Sequence, residues 1–577
     1  MSPKKITNKE IIEIFREIAL YLRAEDVAFK PQAYEVAAES LSSLQQELSD
    51  LYQTCGATYL DQIPGVGKSM IEKIEEIIVT GKLSFYVELK KKYPFDMMAL
   101  SRIQNIGPKT AMKLYRELGV KTLRDLERAA KANKIADLPG MGKKTQDIIV
   151  RGIQYLKQDT GRRLIHDVLP FAEELIGKLK TVKGTTHVNI AGSLRRRKET
   201  IGDIDLLATS SKPEVLIKAF KNLPQVYEVL EEGSNKLMVR YINGLQGDLL
   251  ILPPEEYGAA LVHFTGSREH NIFLRERAIN KKMKLSKHGL WKGSVRITSR
   301  TEKQVYKHLG LEWIAPELRV GSDEIEKAAK KQLPDLIEYG SLKGDLQIQT
   351  TWSDGIGSIE EMANAAKAYG LSYMAVTDHT HSLHIAQGLD EKRLKQQAEE
   401  IDVLNKKIKG FTILKSTECE ILKDGKLDLS DTRLKTLDIV SVSVHGHIQM
   451  TKKDMTQRII RALKHPLVNI LFHPTGRVVT KREGYELDMD QIIKAAREYH
   501  VALEINGSAR LDLHEHYIRQ AIGEGVKLVI SSDAHDSTHL EYLDYGIAQA
   551  RKGWCTKADI LNTKPLKKFL AALKKEK

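Results

Sequence analysis

Cysteine is scarce in this chain of 577 residues: Cys55, Cys419 and Cys555 are all there are. They lie far apart and form no C-x-x-C pair, which excludes a disulfide framework and a thiolate zinc site and makes a reduced, cytoplasmic compartment the expectation. Long apolar runs are also missing. Charges interrupt every apolar stretch of the opening MSPKKITNKEIIEIF, and nothing downstream reaches the roughly 18 consecutive apolar residues of a membrane helix, so secretion and membrane insertion are not expected. What is present is an ordinary globular balance, 42% hydrophobic against 29% charged, in a chain long enough for about three or four domains. Lys and Arg number 90 against 76 Asp and Glu. The surplus suits a polyanionic partner without identifying one.

Strands are scarce in the first 160 or so residues, where helical spacing prevails (Ile11, Ile14, Phe15, Ile18, Leu22). One pattern recurs there three times: Ile63-Pro64-Gly65-Val66-Gly67-Lys68, then Ile103-Gln104-Asn105-Ile106-Gly107-Pro108-Lys109, then Leu138-Pro139-Gly140-Met141-Gly142-Lys143. A glycine turn feeding a helix lets backbone N–H groups approach a phosphate at the positive helix end. A nucleotide P-loop at Gly67-Lys68-Ser69 is excluded, because Gln62 stands where that motif needs glycine. The three copies resemble the helix-hairpin-helix motif, which implies DNA-backbone contacts by Gly65, Gly67, Lys68, Gly107, Lys109, Gly140, Gly142 and Lys143, with no reading of base sequence.

After Arg162 strands and helices alternate. Asp203 and Asp205 lie two apart on a predicted strand, so their carboxylates share a face, and Gly247-Asp248 opens a second strand that supplies a third. Three hard oxygen donors suit Mg²⁺ or Mn²⁺, and a pair of such ions supports in-line phosphoryl transfer. Upstream, Gly192-Ser193 offers a small turn, a hydroxyl and backbone N–H groups to a triphosphate, which Arg196 would neutralise.

These residues carry a resemblance: up to about residue 315 the chain is similar to a family X DNA polymerase of the DNA polymerase beta type. The family's G-S-x-x-R…D-x-D…D pattern falls on Gly192, Ser193, Arg196, Asp203, Asp205 and Asp248, and its Y-F-T-G-S…N segment on His263, Phe264, Thr265, Gly266, Ser267 and Asn271. The resemblance implies that this segment, with Phe264, Gly266 and Asn271, touches the incoming nucleotide and that Arg275 reaches toward the template. His263 replaces the family's tyrosine and leaves ribose discrimination open. Lys73 matches the lysine that forms a Schiff base in 5′-deoxyribose-phosphate removal.

In the carboxy-terminal half, apolar runs alternate with helical stretches as in β/α units. Five of the runs lead to metal-ligand residue types: Asp378-His379, Glu418, His445, His473, and Asp533 with His535. Ligands at the C-terminal ends of parallel strands converge at a barrel mouth. From about Gly344 onward the chain resembles the polymerase-and-histidinol-phosphatase (PHP) domain, a distorted seven-unit barrel with up to three metal ions, and the two halves together resemble the bacterial-type PolX family. That implies a manganese-dependent 3′ to 5′ exonuclease, with abasic-site endonuclease activity in some members. The resemblance also implies one ion on Glu418, His445 and His473 and another on Asp354, His379 and His535, with Asp533 shared. The family's D-L-H-x-H is here Asp345-Leu346-Gln347-Ile348-Gln349. Amide oxygens are poorer ligands than imidazole, so fewer than three Mn²⁺ or Zn²⁺ ions and a weakened nuclease are expected.

The expected fold is multidomain. It comprises an N-terminal helical, lyase-like domain (1–80), a helical fingers-type DNA-binding region (81–155), an α+β nucleotidyltransferase palm (156–253), a thumb (254–315), a linker (316–340) and an α/β distorted (β/α)7 PHP barrel (341–577). The expected function is DNA-directed filling of short gaps in base excision repair, with Asp203, Asp205 and Asp248 binding two Mg²⁺ or Mn²⁺ ions. Expected partners are gapped or primer-template DNA, deoxynucleoside triphosphates and unspecified repair proteins. Alternatives are a phosphoesterase or nuclease whose first half grips DNA, and a noncatalytic DNA-binding scaffold.

Overall fold

The computed structural model describes residues 6–28, 30–42, 48–49, 52, 60, 66–101, 106–143, 145–147, 149–150 and 162–573. The chain forms two compact units, Met1–Thr160 and Gly161–Lys577. Gly65, with most of the turn before Val66, lies outside the described residues, as do Ile103, Gln104 and Asn105 of the second copy. Among the described residues no helix is long and apolar enough to cross a membrane.

The first unit is helical: α1 (Asn8–Ala24), α2 (Lys30–Ser42), α3 (Lys68–Thr80), α4 (Ser84–Lys92), α5 (Met97–Ser101), α6 (Pro108–Leu118) and α7 (Leu123–Lys131). Thr7 and Glu10 cap α1 reciprocally, and its apolar stripe (Ile11, Phe15, Ile18, Leu22) is buried with Tyr34, Ile74 and Leu114 in one core. Gly81 and Gly119 end α3 and α6 at φ 72° and 65°, the left-handed conformation that glycine adopts freely.

The second unit opens on a five-stranded sheet made of β1 (Thr185–Ile190), β2 (Asp203–Ser210), β3 (Val226–Glu232), β4 (Lys236–Tyr241) and β5 (Gln246–Ile251), in the order β1-β2-β5-β4-β3. Only β2 and β5 are parallel. α8 (Ile165–Lys180) covers one face through Val168, Ala172, Leu175 and Leu179. A short helix, α9 (Gly192–Arg195), follows β1. Next come α10 (Tyr257–Thr265), α11 (Arg268–Asn280), a three-stranded meander and α12 (Glu302–His308), around a separate core with Leu274, Val305 and Tyr306.

A packed connector leads on, with Glu317, Arg319 and Glu324 buried. Then β6 (Gly344–Ile348), β7 (Tyr373–Val376), β8 (Thr412–Lys415), β9 (Glu418–Glu420), β10 (Ser441–Ser443), β11 (Ile470–Leu471), β12 (Ala502–Asn506) and β13 (Leu528–Ser531) run parallel. β8 and β9 are one interrupted strand beside β7, the bridge His379 to Glu418 continuing the pairing, so eight segments fill seven positions. The circle closes where Gln349 N donates to Ala534 O (2.8 Å) and Ala534 N to Gln347 O (3.2 Å). Phe569, stacked on Tyr373 at 5.3 Å, seals the barrel floor with Leu346, Phe472 and Val529. The opposite end holds the polar residues.

Candidate metal centres

Alternation along β2 directs Asp203 and Asp205 to one face while Ile204 enters the core. Asp248 on β5 is the register partner of Asp205, which gathers three carboxylates on one face. Burial first, then Asp203 and Asp248, push the Asp205 carboxyl up to about 7. Burial also lifts Asp248, with Asp203 and Glu231 adding and Lys236 opposing. Asp248 Oδ1 is buried and lacks a hydrogen-bond partner among the described residues. Mutual repulsion plus an orphaned oxygen is what bound divalent cations relieve, so this donor set fits Mg²⁺ or Mn²⁺.

The neighbouring turn is shaped around Asp205. Gly192 has φ 59°, and a Cβ there would lie 2.1 Å from Asp205 Oδ2, so only glycine lets the backbone come this close. Ser193 Oγ is buried and unpartnered among the described residues. Arg196 donates to Thr265 O, its charge lowers the Asp205 pKa, and a Cβ on Gly266 would lie 2.9 Å from its Nη1. Gly192, Ser193, Arg196 and Gly266 are thus brought together beside the carboxylates. Asn271 Nδ2 donates to His263 O at 2.6 Å, and the Phe264 ring sits 5.0 Å from that of His263. His263 is half-buried, and burial, then the charge of Arg275, lowers its pKa. Arg275 itself is exposed on α11.

Behind the turn lies a cluster that sequence reading did not find. Glu302 accepts from Arg195 Nη1 (2.7 Å) and Nη2 (2.8 Å), from Arg319 Nη1 (2.7 Å) and from Trp313 Nε1 (3.2 Å). Despite burial, these cations hold its carboxyl far below the usual range. Thumb and connector thereby anchor the turn that carries Ser193 and Arg196.

In the helical unit Gly67 and Gly107 precede α3 and α6 with φ of −80° and −74°, and Gly142 accepts from Thr145 N at 2.9 Å as the third helix begins. These are backbone angles open to any residue, and an added Cβ at Gly67, Gly107 or Gly142 would meet nothing within 4 Å. The fold itself therefore does not require glycine at these three. Gly140, at φ 76°, is required by its turn. Lys68, Lys109 and Lys143 are exposed at the helix starts, Lys109 in contact with Asp26. Lys73 Nζ bonds Ser69 Oγ at 2.7 Å and Ser69 O at 2.9 Å, 6.0 Å from the centre of the Tyr34 ring.

At the barrel mouth two three-residue clusters have their ligand atoms within 4.8 Å of one another: Asp354, His379 and His535, and His379, Glu418 and His445. His379 thus joins both. Its Nε2 lies 3.7 Å from Asp354 Oδ2 and its Nδ1 3.6 Å from Glu418 Oε2. His473 Nε2 sits 2.7 Å from Glu418 Oε1, and His445 Nε2 3.2 Å from the same oxygen. Glu418 is the hub, its carboxyl held well below its ordinary range by His379 and His445 in spite of burial. Carboxylate and imidazole donors at these distances, with His379 and Glu418 buried and Asp354 open to solvent, fit divalent transition-metal ions.

The corner built from β6 is different. Gln347 Nε2 and Gln349 Nε2 donate to Glu418 Oε2 at 3.0 and 2.9 Å, and Asp345 is bound to Ser532. Asp533 Oδ2 accepts from Asn506 Nδ2 at 3.2 Å and Arg510 Nε at 3.3 Å, and Asp533 belongs to neither cluster. This set does not fit a third ion. Sequence reading also missed Glu420, which orients His445 by accepting from its N at 3.0 Å and pairing its Nδ1 at 3.1 Å. It missed Glu504 as well, fully buried with its carboxyl pushed well up by burial. Outside the centre, Glu199, His514 and Glu515 have ligand spacing. They are neutralised by Arg477 (2.6 Å from Glu199) and by Lys198 and Lys552 (each 3.4 Å from Glu515), an ion-pair joint between palm and barrel.

Fold and sites together define a nucleotidyltransferase palm and thumb joined to a PHP-type barrel, with a helix-hairpin-helix region before them. Family models agree: a helix-hairpin-helix domain matches residues 6–83, a SAM-like helix-hairpin-helix tandem 97–154 and the DNA polymerase beta thumb 260–320. The DNA polymerase/3′-5′ exonuclease PolX of Bacillus subtilis (strain 168) is 36% identical over 574 residues, 98% of this chain and 99% of that protein. DNA polymerase lambda of Arabidopsis thaliana is 27% identical over 54% of this chain and 62% of its own length. A probable phosphatase of Thermoanaerobacter sp. (strain X514) is 32% identical over 36% of this chain and 84% of its own length. The chain belongs to the PolX family, family X DNA polymerases that carry a C-terminal PHP domain.

Proposed function

We propose that the chain fills short gaps in DNA by template-directed addition of deoxynucleotides to a 3′-hydroxyl, as a base excision repair polymerase. The observation that carries this is the facing pair Asp205 and Asp248 on parallel strands, with Asp203 on the same face. These three would hold two Mg²⁺ or Mn²⁺ ions, which when bound would neutralise the triphosphate and lower the pKa of the primer hydroxyl. Asp248 is the group that accepts the hydroxyl proton. Ser193 and Arg196 bind the triphosphate, and Gly266 and Asn271 position the nucleotide beside Phe264. Primer extension on gapped DNA tests the reading: Asp205→Ala should abolish addition and leave gapped-DNA binding nearly intact, and extension that survives the change contradicts it.

The barrel supplies a weakened metal-dependent 3′ to 5′ exonuclease or abasic-site endonuclease, with Asp354, His379, Glu418, His445, His473 and His535 holding fewer than three Mn²⁺ or Zn²⁺ ions. Lys73 acts as a 5′-deoxyribose-phosphate lyase nucleophile, a role supported by an amine held by Ser69 beside Tyr34. Borohydride trapping on a 5′-deoxyribose-phosphate end should give an adduct that Lys73→Ala removes; no adduct with the parent chain ends that assignment.

A further inference from the structure

The corner of the barrel that does not fit a third ion is not simply vacant. Glu418 Oε2 receives two amide donors, from Gln347 (3.0 Å) and Gln349 (2.9 Å). Asp533 Oδ2 receives Asn506 Nδ2 (3.2 Å), Arg510 Nε (3.3 Å) and Ser508 Oγ (3.4 Å). Asn506 also donates to Gln347 Oε1 at 3.0 Å, which ties the two halves together. Every donor here is an N–H or O–H group of the protein, and one of them carries a permanent charge. The Arg510 guanidinium is paired with Asp533 at 3.3 Å, and Asp533, Glu418, Asp512 and Glu504 are close enough for their charges to favour its cationic form. Its Nη1 is buried and has no hydrogen-bond partner among the described residues.

A buried guanidinium N–H without an acceptor is costly unless something supplies one. The loop that bears it is fixed from the palm side: Gly507 O is 2.7 Å from His166 Nε2, and Leu511 packs in the palm core. Arg510 is therefore held through Nε on Asp533 and through its anchored loop, is charged at any working pH, and keeps the N–H groups of a buried Nη1 free of protein acceptors among the described residues.

We propose that Arg510 stands in for the third cation of this centre and uses Nη1 to hold a non-bridging oxygen of the phosphodiester being cleaved. The inference rests on the reading of the barrel as a phosphodiesterase. In the hydrolysis, water adds to phosphorus and the bond from phosphorus to the 3′ oxygen breaks. The water oxygen leaves on the released 5′-nucleotide, and a proton passes to the new 3′-hydroxyl. Arg510 neutralises charge that grows on the phosphoryl oxygens and itself exchanges no proton.

The test uses the full chain loaded with Mn²⁺ and its Arg510→Met and Arg510→Lys variants, with bound manganese counted by mass spectrometry and cleavage of a labelled single-stranded oligonucleotide followed at saturating DNA. Manganese content should match the parent in both. kcat should fall about 100-fold in Arg510→Met and about tenfold in Arg510→Lys, which keeps the charge and loses the fork; added Mn²⁺ should restore neither. Variants within about threefold of the parent overturn the proposal, as does a loss that tracks missing manganese and is reversed by supplying it, since either assigns Arg510 a purely structural role. A variant that fails to fold is caught by its thermal midpoint, and Arg510→Lys then decides alone. A parent chain with no Mn²⁺-dependent cleavage overturns the barrel reading itself, whereas an active parent with insensitive variants overturns only the role of Arg510.

Discussion

Asp205 is a carboxylate whose charged form the metal-free fold disfavours. Its pKa rises from 3.8 to about 7 through burial and its two acidic neighbours, so the metal-free folded state binds a proton that the unfolded state gives up. That contribution to stability is fully present below about pH 4 and is lost as the pH rises through 7. Asp205→Asn should therefore raise the thermal midpoint of the EDTA-treated protein at pH 8, by the equivalent of about 1 to 3 kcal/mol, and should abolish nucleotide addition; a lowered midpoint would show that the carboxylate is satisfied without cations. Gly107 presents the converse case. It sits at a helix N-cap where serine is favoured, and a Cβ meets nothing, so Gly107→Ser should leave stability within about 0.5 kcal/mol of the parent while weakening binding to gapped DNA several-fold. Unchanged affinity in a fluorescence-anisotropy titration would mean that no backbone phosphate approaches this turn.

Among the elements, what was legible in the sequence was what lies close along the chain. The Asp203–Asp205 spacing fixed a shared face because strand alternation is local, the Gly192-Ser193 turn was visible as two consecutive residues, and the strand-end ligands marked the barrel mouth. Residues that act by meeting distant partners carried no such signal. Glu302 reads as an ordinary helix-start acid, yet it holds Arg195, Arg319 and Trp313 behind the Gly192-Ser193 turn. Glu420 and Glu504 come beside the ligands only through the parallel pairing of β9 with β10 and of β11 with β12, and Arg510 only through the loop after β12. Two expectations follow. Glu302→Gln leaves two arginines uncompensated, one of them fully buried, and should cost about 3 to 5 kcal/mol, read as a fall in thermal midpoint; the parent should lose the same contribution as the pH drops below the usual carboxylate range, because its folded pKa is depressed. Gln347→His with Gln349→His removes both amide donors from Glu418 Oε2 and should raise bound manganese and 3′-end degradation together. Unchanged metal content in that pair would show that Asn506 and Arg510 alone close the corner.

The chain as a whole carries two metal-binding centres of different construction on one compact unit. Palm and barrel are joined by Arg477 to Glu199, by Lys198 and Lys552 to Glu515, and by Leu511 inserted into the palm core. The joint touches the segment after Arg196 on one side and the loop after His473 on the other, but neither set of metal-binding carboxylates takes part in it. The two chemistries should therefore separate by mutation. The decisive measurement is a parallel assay of primer extension and 3′-end degradation on gapped DNA with full-length Asp205→Asn and His379→Ala. Asp205→Asn should lose extension and keep degradation, and His379→Ala should do the reverse. Extension that survives Asp205→Asn, or both activities falling together in either variant, would contradict it.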